Sequence, residues 1–268
     1  MDFLIIGIVA IILYFFVAVG LFRRLTRPTV ATFTKAKLLG MGFVACTLHG
    51  ILVYKGLITP AGLNLGFFNA MSLLTWLIGS LLLLAATTKP VETLGIAIFP
   101  LAAVAIVLNL FFPTESRLLD NPNPGLEVHI LISILAFSFL NIAAIQALLL
   151  AIQDKQLHNR HPGGFIRALP ALETMETLLF QIIGMGFILQ TLSLASGAIY
   201  LENIFAQHLV HKTILSLAAW LVFAVLLWGR WRFGWRGRTA IMWTLSGFIT
   251  LMLAYFGSKL VFELILMR

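Results

Sequence analysis

The sequence has little charge and almost no cysteine. Only 10% of its 268 residues are charged, whereas 60% are hydrophobic, and the mean hydropathy is +1.02. This balance excludes an ordinary soluble domain and indicates a polytopic membrane protein. The one cysteine, Cys46, lies inside an apolar run, which excludes a disulfide framework, a C-x-x-C redox pair and a C-x-x-C-H attachment motif.

The net charge of +8 does not indicate a nucleic-acid-binding protein. Lysine and arginine lie in short stretches between apolar runs, and no basic face is large enough to follow a phosphate backbone. A Ser-His-Asp set, a Gly-rich phosphate loop and a carboxylate pair are also lacking. The sequence therefore indicates no catalytic residues and favours a protein that is not an enzyme.

Eight segments are long and apolar enough to cross a membrane as helices. A span needs roughly 17 to 25 mostly apolar residues, and only helices or closed barrels satisfy the backbone in lipid. Because these runs are too long for strands, we expect an all-α protein with one integral membrane domain over residues 1–268. The predicted spans are Phe3–Phe22, Lys37–Tyr54, Phe67–Ala86, Gly95–Phe112, Val128–Ile152, Thr177–Tyr200, Thr213–Gly229 and Thr239–Leu260.

The positions of the basic residues predict the orientation. No positive residue precedes the first run, whereas Arg23, Arg24 and Arg27 follow it, so we expect a retained span rather than a cleavable signal. Most of the 18 lysines and arginines fall in alternate loops, which the positive-inside rule places in the cytoplasm. Both termini are then outside. The stretch Gln153–Glu176 is expected as an inner loop, with a helical restart after Pro170.

This orientation places four of the six histidines toward the outer side. His129 lies at the start of the fifth span, and His49 lies about 7 Å inside the outer end of the second, at 1.5 Å per residue. His208 and His211 belong to an outer segment, Leu201–Lys212, whose apolar residues have the spacing of a short amphipathic surface helix. The remaining pair, His158 and His161, is expected in solvent in the inner loop.

Imidazole is a common metal ligand and the usual axial ligand of haem iron. His208 and His211 are one helical turn apart, so together with His129 they could hold a metal ion or flank a porphyrin. The alternatives are that these side chains are interfacial hydrogen-bonding residues, and that His49 belongs to a buried polar network.

Several stretches in the later two-thirds of the chain carry a family resemblance. They are LPALETMETLLFQIIGMGFILQTLSLASGAIYLEN at Leu169–Asn203, GWRGR at Gly234–Arg238, AYFGSKL at Ala254–Leu260 and the helix that contains His129. They resemble the cytochrome c assembly family of membrane proteins (CcsA, CcmC and CcmF type), especially its HemX- and YpjD-like branch, most strongly over residues 125–260. The resemblance implies a bacterial inner-membrane protein that holds haem at its outer face, with His129 as a ligand and cytochrome c maturation proteins as partners.

The sequence departs from the family pattern in the segment that members use to attach haem. Members that attach haem carry a Trp-rich signature after the Ser-Gly-Ala stretch, whereas here Tyr200 is followed by LENIFAQHLVHK. Stacking on a porphyrin would then rest on Tyr200 and Phe205. The resemblance therefore implies an accessory haem-handling protein rather than a haem lyase, with His49, His208 or His211 as the possible second ligand.

Two other functions fit the same residues. The four outer histidines could serve a divalent-metal transporter or a transport accessory, although the spans contain few of the acidic residues that a cation pathway would use. The protein could also be a membrane assembly scaffold without a ligand.

Overall fold

The computed structural model describes residues 2–27, 33–59, 62–112, 124–159, 169–200 and 210–257. Within these ranges eight helices are long and apolar enough to cross a membrane, which confirms the predicted all-α fold of a polytopic membrane protein. A two-residue antiparallel hairpin, β1 (Ile58–Thr59) and β2 (Gly62–Leu63), connects the second helix to the third. The helices are α1 (Asp2–Thr26), α2 (Lys35–Leu57), α3 (Phe67–Thr88), α4 (Gly95–Phe111), α5 (Pro124–His158), α6 (Leu172–Tyr200), α7 (Val210–Phe233) and α8 (Gly237–Met252).

Large apolar side chains cover much of the outside of these helices. Ile12 and Leu84 are each 60% exposed, and Met242 is 70% exposed. A soluble protein rarely presents so much contiguous apolar surface, whereas a lipid bilayer solvates it. The exposed faces of the helices are therefore suited to contact lipid.

Helix α5 is longer than a membrane requires. Its 35 residues extend about 52 Å at 1.5 Å per residue, against a hydrocarbon core of about 30 Å. The expectation that the loop begins at Gln153 is wrong, because the helix continues through His158. No proline or glycine interrupts this last stretch, and Lys155 and His158 interact favourably with the negative end of the helix dipole.

The contacts between helices divide the chain into two compact units, the first containing α1 to α4 and the second α5 to α8. The expectation of one integral membrane domain stays a prediction. In the first unit, α1 packs against α2 and α4, and α3 packs against α2 and α4. Tyr14 and Phe99 are fully buried and stack at 5.5 Å between ring centroids.

The second unit is built on the pairing of α5 with α6, the most extensive helix contact in the described part of the chain. Small residues allow this approach, since Ala143 and Ala147 are completely buried. Gly186 of α6 faces Leu140 of α5, and a Cβ atom at that position would lie 2.7 Å from the leucine Cδ2. Helix α8 packs on α5 and on α7, and a five-residue π-helical turn, Leu253–Gly257, follows it.

Candidate functional site

Three of the four candidate histidines lie in the described part of the chain, each on a different helix. His129 lies within the first two turns of α5, His49 lies in α2, and His211 is the second residue of α7. Most of the predicted surface helix Leu201–Lys212 lies outside the described residues. So do His161, Phe205 and His208.

His129 is half-buried, and one of its two ring nitrogens is engaged. Nδ1 lies 3.0 Å from the hydroxyl of Ser196, a residue near the end of α6. Among the described residues, no side chain forms a hydrogen bond with Nε2. In metal-binding imidazoles a neighbouring polar group commonly holds one ring nitrogen and the other nitrogen remains available, and the Ser196 hydroxyl has that place here.

A second contact, between two hydroxyl groups, lies one turn closer to the middle of both helices. The Ser133 hydroxyl donates to the carbonyl of His129 at 2.7 Å, and its oxygen lies 2.6 Å from the hydroxyl of Ser193. The Ser196 hydroxyl donates to the carbonyl of Ser193 at 3.0 Å. The two helices are therefore joined by successive polar contacts beside His129.

Aromatic side chains lie close to these polar contacts. The ring of Tyr200 packs directly on Gly125, one turn before His129, where a Cβ atom would collide with it. One turn beyond Ser133 on α5, Phe137 contacts the ring of Tyr255 at 4.9 Å between centroids. Of the two predicted stacking residues, Tyr200 thus lies at the same end of α5 as His129 and is 44% exposed.

His49 has a different environment. It is fully buried, and both of its ring nitrogens contact hydroxyl groups: Nδ1 lies 3.2 Å from that of Tyr14, and Nε2 lies 2.9 Å from that of Ser72. The Tyr14 ring also meets the imidazole edge-on at 5.8 Å. The structure thus has the buried polar network that was one of the two alternatives for His49. As an iron ligand, His49 would have to give up one of these contacts, and its role as a ligand stays a prediction.

The network continues from His49 toward Cys46. The thiol of Cys46, one turn away on α2, lies 3.0 Å from the hydroxyl of Ser80. Trp76 donates from its indole nitrogen to the Cys46 carbonyl at 2.9 Å. These contacts pair polar groups of α2 and α3 inside the first unit, where an unpaired polar group would be costly.

His211 and His158 are both exposed, the first at the start of α7 and the second at the end of α5. Among the described residues, no three histidine, cysteine, aspartate or glutamate side chains lie close enough together to hold a metal ion. The described residues therefore give no support to a protein-only metal site.

An ion pair at the opposite end of α6 was not predicted. The Glu176 side chain is only 3% exposed; its Oε1 accepts from the Gly237 backbone N–H at 2.7 Å and its Oε2 from Arg236 Nε at 3.1 Å. The carboxylate thus caps the positive end of α8. Gly237 adopts a φ of 53°, which favours glycine. The stretches Leu169–Asn203 and Gly234–Arg238, both part of the resemblance, meet here, which the sequence alone did not reveal.

The chain is similar to several known proteins. The profile of a family described as "Cytochrome C assembly protein" matches residues 38–266. The inner membrane protein YpjD of Escherichia coli strain K12 is 34% identical over 224 residues, which cover 83% of this chain and 85% of that protein. The cytochrome c biogenesis protein CcsA of Gloeothece citriformis is 31% identical over 101 residues, which cover 37% of this chain and 31% of that protein. No solved structure matches the chain significantly.

The spans and these similarities agree on location. In the described part of the chain, eight helices are long and apolar enough to cross a membrane, and a relative that this chain matches over most of its length is an inner membrane protein. The chain is therefore a multi-pass protein of the bacterial inner membrane, as the resemblance implied.

Proposed function

The chain belongs to the cytochrome c assembly protein family, and from this premise we propose that it is an accessory haem-handling protein in which His129 is an axial ligand. One observation carries the proposal. Nδ1 of His129 is held by Ser196, while Nε2 makes no hydrogen bond to any described side chain. A half-buried imidazole in this state has a lone pair to offer and is already oriented.

The residues around His129 fit such a group. A bound haem would supply an iron atom that accepts an imidazole nitrogen and a flat apolar ring that packs against aromatic side chains. Tyr200, at the same end of α5, supplies an exposed aromatic ring. The hydroxyl contacts between α5 and α6 hold the His129 backbone in place, which keeps the position of its ring constant.

We place this end of the second unit at the outer face of the membrane. The other end of α5 carries Lys155 and His158, and the other end of α6 lies beside Arg236. Arg230 and Arg232 end α7 on that same basic side. The positive-inside rule puts such an end in the cytoplasm, and His129 is then on the opposite side.

The accessory role rests on what the chain has in place of the family's Trp-rich signature. Tyr200 is the last residue of α6, and the segment that follows contains no tryptophan. An enzyme that attaches haem must hold it against a protein substrate, which demands a larger aromatic platform than one tyrosine. His211 and His208 are the candidates for the second ligand, because His49 is engaged on both nitrogens.

Absorption spectra of the detergent-purified protein with added haem test the proposal. We expect a Soret band in the wild-type protein. In His129→Gly we expect the haem affinity to be about tenfold weaker, since one coordinate bond is lost. Free imidazole should restore the spectrum of that variant. His158→Gly is the matched control, because this histidine is exposed at the other end of the same helix and should behave as wild type.

The same preparation distinguishes the alternatives. Imidazole ligates only when neutral, so the Soret band should be lost as the pH falls below about 6. A wild-type protein without a Soret band, or a His129→Gly variant with unchanged affinity, would overturn the proposal. If deletion of the gene changed cellular metal content and left c-type cytochromes unaffected, transport would be favoured instead.

A further inference from the structure

We propose that Ser196 is a positioning residue that fixes His129 in the Nδ1–H tautomer and thereby leaves the Nε2 lone pair free. The assignment of Nε2 as the iron-binding atom rests on the proposed function, whereas the tautomer does not. Nothing in the family resemblance points to a serine in this role.

The direction of the hydrogen bond follows from the number of protons available. A serine hydroxyl has one proton, and that of Ser196 is donated to the carbonyl of Ser193 at 3.0 Å. With that proton on the Ser193 carbonyl, the Ser196 oxygen, 3.0 Å from Nδ1, accepts a hydrogen bond from the ring. In the proposed arrangement His129 therefore carries its proton on Nδ1, and a neutral ring has no proton left for Nε2.

The neighbouring serine pair keeps this acceptor in place. Ser133 donates its proton to the His129 carbonyl, and its oxygen lies 2.6 Å from the Ser193 hydroxyl, which can donate to it. That bond fixes the register of α5 against α6. Because Ser196 follows Ser193 by three residues, it lies on the same face of α6 and opposite His129.

The consequence for a bound iron is electronic as well as geometric. A hydrogen bond from Nδ1–H to an acceptor makes the opposite nitrogen more basic and favours ferric over ferrous iron. Removal of the Ser196 hydroxyl should therefore raise the reduction potential of bound haem, in addition to weakening binding.

Nitrogen NMR of histidine-labelled protein without haem tests the tautomer directly. The His129 signals are assigned by their loss in His129→Gln. In the wild-type protein we expect a protonated Nδ1 and an unprotonated Nε2 at a pH where the ring is neutral. In Ser196→Ala the ratio of the two tautomers should shift toward Nε2–H by about tenfold, the effect of one hydrogen bond.

Two further variants separate this role from a general loss of structure. Ser196→Thr keeps the hydroxyl and should retain the wild-type tautomer. Thr177→Ala removes an exposed hydroxyl near the other end of the same helix, and the tautomer should again be retained. An unchanged ratio in Ser196→Ala, or equal shifts in Ser196→Ala and Ser196→Thr, would overturn the proposal.

The outcome can be read independently of haem binding. If the tautomer shifts as expected and no variant binds haem, the inference about Ser196 holds and the proposed function fails. If haem binds through His129 and neither the tautomer nor the reduction potential responds to Ser196→Ala, the proposed function holds and the positioning role fails.

Discussion

At the scale of single residues, two histidines in membrane-spanning helices differ in what their ring nitrogens contact. His49 is enclosed by Tyr14 and Ser72, one hydroxyl on each nitrogen. His129 has a hydroxyl on one nitrogen and, among the described residues, nothing on the other. Burial in a low-dielectric interior makes an unpaired polar atom costly, so the first arrangement favours stability and the second favours binding.

Replacement of His49 should therefore affect stability more than haem binding. His49→Ala leaves the hydroxyls of Tyr14 and Ser72 without their partner in a fully buried site, which should cost about 2–4 kcal/mol. Thermal unfolding in detergent measures the loss. Tyr14→Phe, which removes a single hydroxyl, should cost about 1 kcal/mol.

The spectrum of the same variant is the critical observation. The fraction of His49→Ala protein that remains folded should show an unchanged Soret band with added haem. If the band disappeared while the protein stayed folded, His49 would be an iron ligand after all.

At the scale of elements, the ends of α6 have opposite roles. One end contributes Ser193 and Ser196 to the His129 site, whereas the other contributes Glu176 to the start of α8. The α6 helix therefore links the site to the turn between α7 and α8 through a single rigid element. This turn contains two glycines with positive φ, Gly234 and Gly237.

Glu176→Gln tests the importance of that link. The amide keeps the shape of the side chain but removes the charge that pairs with Arg236 and caps α8, so we expect a loss of about 1–3 kcal/mol. Resistance to denaturant measures it. Glu173→Gln is the matched control on the same helix, because this carboxylate is 82% exposed and 3.9 Å from Arg236, and its removal should have no measurable effect.

A result that would contradict this account is equal stability of Glu176→Gln and Glu173→Gln. The carboxylate of Glu176 would then add nothing beyond a neutral hydrogen-bonding group, and its charge would not contribute to holding the start of α8.

The helices were predictable from the sequence, and the pairing of side chains between them was not. Apolar runs of about twenty residues identify the spans because lipid demands helices of that length. His129 could be singled out because an ionisable residue in such a span is unusual. Its partner Ser196 lies 67 positions away, and only the register of α5 against α6, which no local pattern specifies, brings them together.

The same reasoning explains why Glu176 was missed. In the sequence it stands among polar residues that precede a span and looks like part of a solvated loop. Its burial depends on the path of the turn after α7, which returns Arg236 and Gly237 to the start of α6. His158, by contrast, was expected at the surface of the inner loop, and among the described residues its side chain is exposed.

At the scale of the whole molecule, the orientation in the membrane decides which compartment His129 faces. The basic residues predict that both termini and His211 are outside and that His158 is inside. Cysteine labelling in intact cells with a membrane-impermeant maleimide tests this. The His211→Cys variant should be labelled in intact cells, whereas the His158→Cys variant should be labelled only after lysis, since both positions are exposed in the protein.

The native cysteine should not contribute to the labelling. Cys46 is buried and contacts Ser80, so the unsubstituted protein should remain unlabelled in either condition. Labelling of His158→Cys but not of His211→Cys in intact cells would show that the topology is the reverse of the predicted one. His129 would then lie at the cytoplasmic face. The protein would not hold haem at the outer side of the membrane, even if it bound haem through Nε2.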